Sequence, residues 1–150
     1  MAEGIDTGLG VQGLCEISVF LIHVSAIGVL VAISIPIFTS QLEKAREATD
    51  LANIRSIYAQ LSADVLTENT AASNDDCPAA ASYSVTKDAD NGVVTGEATY
   101  TMTQATDGTV NGQAVTVGGV EIASADFTKG TCTITITDDG NPPTIVIAGS

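Results

Sequence analysis

The chain has 150 residues, with 5 Lys+Arg against 18 Asp+Glu and a formal charge of −13. That surplus of negative charge repels phosphate backbones and argues against direct nucleic-acid binding. Hydrophobic residues make up 45% and charged ones 15%, which argues against wholesale disorder, while a single histidine leaves little room for histidine-based catalysis or a multi-histidine metal site.

Charge and apolar residues are unevenly shared. Residues 1–66 hold 7 acids and 3 bases, and residues 67–150 hold 11 acids and only Lys87 and Lys129 as cations. Three pieces are expected in chain order: 1–15, 16–66 and 67–150. Residues 1–15 contain Glu3 and Asp6 but no Lys or Arg. They read as a Gly-rich, unstructured, leader-like segment rather than a secretory signal, which would start with basic residues.

From Ile17 to Phe38 the sequence is ISVFLIHVSAIGVLVAISIPIF, 22 residues without a formal charge. As a helix it would extend about 33 Å, enough to cross a hydrocarbon core of about 30 Å. Ser18, Ser25 and Ser34 can return their hydroxyls to helical carbonyls at little cost, whereas His23 calls for a protein partner. A helix apolar on every side needs lipid or other helices around it, and a chain of this length cannot bury it alone.

Pro36 lies near the end of this run, yet helix formers continue beyond it. Leu51, Ile54, Tyr58, Leu61 and Val65 recur at helical spacing and form one stripe, with Arg55, Gln60, Ser62 and Asp64 off it. Glu43–Arg46 and Arg46–Asp50 are expected as surface pairs, each worth only a few tenths of a kcal/mol. The prediction is one helix from about Glu16 to about Leu66, kinked or loosened near Pro36.

Thr67 to Ala81 reads as a loop, after which the period changes to two. Tyr83, Val85 and Lys87 alternate with Ser84 and Thr86, and Ala98, Tyr100 and Met102 alternate with Thr99, Thr101 and Thr103. Thr131–Thr137 is a strict Thr/apolar alternation, and Thr144–Ala148 is a further strand candidate. Turns are marked by Asn91-Gly92, Asp107-Gly108, Asn111-Gly112 and Asp139-Gly140. The expected head is a small antiparallel sheet of four or five strands, with an apolar face covered by the Leu51–Val65 stripe and a Thr-rich solvated face. The fold class is therefore α+β.

Of the three cysteines, Cys15 precedes the apolar run and Cys77 and Cys132 fall in the head. In an oxidising compartment a Cys77–Cys132 bridge is expected, worth about 4 kcal/mol in the chain-entropy model. The alternative is two unpaired thiols, one on the buried face of a strand. No G-x-S-x-G, P-loop or paired-cysteine zinc spacing occurs, so no enzymatic activity is expected. Asn74-Asp75-Asp76 and Asp138-Asp139-Gly140-Asn141 are oxygen-rich loops that a calcium ion could accept. They lack EF-hand spacing, however, and no cofactor is expected.

The stretch Ala32-Ile33-Ser34-Ile35-Pro36-Ile37-Phe38-Thr39-Ser40-Gln41-Leu42-Glu43-Lys44-Ala45-Arg46-Glu47-Ala48-Thr49-Asp50, continued by Ala52-Asn53-Ile54-Arg55, resembles the type IV pilins of Gram-positive bacteria. The likeness covers about residues 25–66, and the head is similar in architecture alone. Gly28 and Pro36 stand where that family commonly has a glycine and a proline. The resemblance implies a structural subunit that is held in the membrane by a single helix and then polymerises into a helical surface filament. Its partners would be further copies of itself, a prepilin peptidase and the assembly machinery.

The resemblance also implies a cut after Gly13, making Leu14 the first mature residue, and an assembly role for Glu16. In the family the buried glutamate pairs with a neighbour's N-terminal ammonium. Glu16 lies three residues further from Pro36 than that glutamate does, and the family's basic leader has no counterpart in residues 1–15. The family topology puts the head outside the cell, whereas the three cations after the apolar run (Lys44, Arg46 and Arg55) favour the head inside by the positive-inside rule. Alternative readings are a pseudopilin or minor pilin of a secretion or DNA-uptake apparatus, and an anchored adhesion module that never polymerises.

Overall fold

The computed structural model describes residues 8–109 and 112–149, with side chains from Glu16 onward. The fold is α+β: one long N-terminal helix and a small antiparallel sheet of four strands, with a two-stranded hairpin beside it. Helix α1 spans Gly8–Leu66, and its backbone becomes helical eight residues ahead of the expected start at Glu16. The helix passes through Pro36 without a break. Proline lacks an N–H, so the loosening there amounts to one absent bond to the carbonyl of Ala32.

The chain divides into two compact units, Met1–Gln41 and Leu42–Ser150. In the second, β1 (Ser82–Lys87), β2 (Val94–Thr101), β5 (Gly130–Thr137) and β6 (Thr144–Gly149) pair in the order β1-β2-β5-β6. The register aligns inward-facing residues in rows. Tyr83 faces Ala98, Ala98 faces Ile134, and Ile134 faces Ile145, while Cys132 lies between Tyr100 and Ile147. Outward positions are Thr-rich and at least partly exposed, matching the expected alternation.

The α1 stripe covers this sheet. Ile54, Ile57 and Leu61 are fully buried and Val65 nearly so, each worth about 2 kcal/mol on removal from water. Ile57 was absent from the expected stripe, and Asp64, expected off it, is buried. β2 presses closely on the helix at Gly96. A Cβ added there would lie 2.6 Å from Val65 and 2.7 Å from Leu61, so a side chain at this position would have to displace those two buried residues.

The hairpin of β3 (Val115–Val117) and β4 (Val120–Ile122) was not anticipated. Its signal is Gly118-Gly119 between two short apolar alternations. Both glycines have positive φ, as a two-residue hairpin turn demands, and a Cβ on Gly118 would strike the Tyr58 ring. β2 also ends earlier than its alternation suggests. Met102 and Thr103 leave the strand because the segment that follows turns to the helix.

The expected Cys77–Cys132 bridge is not formed, and both thiols are buried and free. Cys77 sits beside Tyr83 and Asp64, whereas Cys132 is the cross-strand neighbour of Tyr100, whose hydroxyl reaches Asp50. The sheet register places β2 between Tyr83, the neighbour of Cys77, and β5, which carries Cys132, so the two thiols are not brought together. Burial pushes the Cys132 thiol up to about 12. Burial and the nearby Asp64 carboxylate raise Cys77 too, against backbone N–H groups of Ala79 and Ala80.

Candidate functional site

The candidate functional surface is α1, which has two differently equipped stretches. In the first unit, large aliphatic and aromatic side chains between Ile17 and Phe38 stand open, up to 73% for Phe38. The helix is long and apolar enough to cross a membrane. Its polar groups are turned back onto the helix. Ser25 donates to Ile22 O at 2.9 Å, Ser34 to Leu30 O at 2.7 Å, and Thr39 to Pro36 O at 3.0 Å. His23 Nδ1 lies 2.7 Å from Val19 O. A surrounding without hydrogen-bonding capacity therefore meets few unsatisfied polar atoms.

The second stretch, from Glu43 to Asp64, is anchored to the head by carboxylates. Glu43, Asp50 and Asp64 recur at multiples of seven residues and so share a face with Ile54, Ile57 and Leu61. Asp50, fully buried, accepts from Tyr100 Oη at 2.7 Å, Thr103 Oγ1 at 2.7 Å, Thr103 N at 2.9 Å and Gln104 N at 2.8 Å. Glu43 accepts from Ala105 N at 2.7 Å and from Thr106 N at 2.8 Å. Four successive backbone N–H groups, which have no strand to pair with, thus end on two carboxylates of the helix. At the other end, Tyr83 Oη donates to Asp64 at 2.5 Å, joined by Asn69 and Gln60.

These contacts bias the protonation of the acids. Burial pushes the Asp64 carboxyl up, but hydrogen bonds from Tyr83, Asn69 and Gln60 outweigh it and hold the group below its usual range. Glu43 behaves alike, with Thr106, Ala105 and Arg46 overcoming the effect of burial. Burial and the Asp64 carboxylate both raise the Tyr83 phenol. The Glu43–Arg46 pair is present at 3.5 Å. The expected partnership of Arg46 with Asp50 is replaced, because Asp50 points into the head. Sequence reasoning missed these anchors by treating acids on the helix as solvated. Their seven-residue recurrence within the apolar stripe was the available signal.

No protein-family model, curated protein or solved structure matches the chain. Gly13 and Leu14 fall within the α1 backbone, and their side chains lie outside the described residues. Glu16 is exposed and lines a shallow groove with Val19, Phe20 and His23. A Cβ on Gly28 would meet nothing within 4 Å, so nothing inside the chain demands a glycine there. Pro36 is exposed within the helix.

Among the described residues, no three His, Cys, Asp or Glu side chains gather to hold a metal. In the loop offered for calcium, Asp139 accepts from Thr137 Oγ1 at 2.7 Å, from Asn141 N at 3.0 Å and from Asn141 Nδ2. Those bonds hold its carboxyl below the usual range. Asp76 likewise accepts from Ser73 N at 2.9 Å.

Proposed function

We propose that the chain is a pilin-like structural subunit, stored in a membrane through Ile17–Phe38 and polymerised into a surface filament by bundling that segment with identical segments of other copies. The observation that carries this reading is the contrast within α1. A long apolar stretch lies open, while its continuation buries one face in a core shared with the head. Lipid and a bundle of such helices are both apolar, so transfer between them loses little hydrophobic stabilisation. The acidic head remains wet in either state. A single-pass membrane form, a processing peptidase and assembly machinery as partners, and a cell-surface filament follow from the pilin resemblance around Pro36. No catalytic step is required.

Electron microscopy of cells expressing the full chain, with antibody against the head, tests the proposal. Labelled filaments are expected, and extracted protein should need detergent to stay dispersed. A full-length protein that is water-soluble and monomeric without detergent would overturn it.

A further inference from the structure

Between Glu16 and Phe38 only Glu16 and His23 can carry a charge. They are seven residues apart, share one face of α1, and line a single shallow groove with Val19 and Phe20. Seven residues correspond to about 10.5 Å of rise, beyond the reach of side chains within one helix, which meet at three or four residues. The acid and the base of one copy therefore cannot satisfy each other. His23 Nδ1 bonds to Val19 O, and a carbonyl oxygen only accepts, so Nδ1 carries a proton and Nε2 is left for an outside partner.

We infer that Glu16 of one copy pairs with His23 Nε2 of a neighbouring copy, the helices running parallel and staggered by seven residues. This rests on the filament reading above. The occupant of the groove is a second copy because one face presents both halves of a complementary pair. Single-pass insertion gives every copy the same direction, so a closed antiparallel pair is not accessible. With a parallel stagger, each copy offers its Glu16 to one neighbour and its His23 to another, on the two flanks of the groove face. The contact repeats without closing, as a filament requires. Val19 and Phe20 lie between the polar groups and exclude water from them. One proton suffices for each pair, placed on the imidazole beside a carboxylate or on the carboxyl beside a neutral imidazole. Either form is electrically neutral, which limits the cost of taking the acid into an apolar core.

The test measures the filament mass made by the full chain and its variants, with the head's thermal midpoint as a folding control. Glu16→Ala and His23→Ala should each lower filament mass about tenfold or more while leaving the midpoint unchanged. The exchanged double variant, Glu16→His with His23→Glu, should restore filaments. Copies carrying Glu16→Cys mixed with copies carrying His23→Cys should crosslink on oxidation. Unchanged filament mass in the single variants, an exchange no better than the singles, or no mixed crosslink would each overturn the pairing while leaving the filament reading standing. No filaments from the unaltered chain would overturn both.

Discussion

Two stretches of one helix, Ile17–Phe38 and Leu51–Val65, are both rich in aliphatic residues, yet their surroundings are opposite. Leu30 is 65% exposed and Leu61 is 0% exposed. The difference lies in what accompanies the aliphatic residues. In the first stretch they occur on all sides, and the hydroxyls and imidazole bond to the helix's own carbonyls. In the second they form one stripe interleaved with Asp50 and Asp64, whose carboxylates take hydrogen bonds from the head. One stretch returns its Ser25 and Ser34 hydroxyls and His23 Nδ1 to its own carbonyls. The other leaves its carboxylates to be satisfied by a particular sheet.

That contrast can be tested with the urea midpoint of the full chain in detergent micelles. Tyrosine emission is a suitable probe, because Tyr58, Tyr83 and Tyr100 are the only tyrosines and all belong to the second unit. Asp50→Ala should have the largest effect, a loss of about 4 kcal/mol, because Tyr100 Oη and the N–H groups of Thr103 and Gln104 lose their shared acceptor. An unaltered midpoint would mean that the anchor contributes nothing.

Leu61→Ala should follow at about 3 kcal/mol, from the cavity it opens beneath Gly96.

A smaller effect is expected from acid. The folded-state pKa of Asp64 is lowered from 3.8, so its contribution is complete above that ordinary value and fades as pH falls through the lowered one. Glu43 acts with the same sign. The midpoint should decline between about pH 5 and pH 2, less steeply in Asp64→Asn. Equal slopes in the two proteins would exclude Asp64 as a source.

Smallest of all is Leu30→Ala, the same exchange as at Leu61 but on the open stretch, which should move the head's midpoint by less than about 0.5 kcal/mol. A shift as large as that at Leu61 would erase the distinction between the two stretches.

Much of this was legible in the sequence because it depends on short-range pattern. The 22 uncharged residues, the 3-and-4 spacing of Leu51, Ile54, Tyr58, Leu61 and Val65, and the Thr alternation of β5 each declare an element by itself. Helix, sheet and the face of the helix that covers the sheet therefore followed from local periodicity. The hairpin at Gly118-Gly119 was equally local and was overlooked. Of the candidate assembly residues, Glu16, Gly28 and Pro36 were visible through the family likeness, and the structure adds that Glu16 shares its groove with His23.

The tertiary structure alone decided which polar groups would be buried. Whether Asp50 joins Arg46 on the surface or collects the N–H groups of residues 103–104 depends on a segment more than fifty positions away, where β2 ends and the chain turns towards the helix. That Cys77 and Cys132 stay unbridged is of the same kind, since it follows from where the loop and β5 lie in the head. Periodicity reports the solvent preference of a face. The partner of a buried carboxylate or thiol is set by packing between distant segments, because only there does desolvation make each unsatisfied donor and acceptor costly.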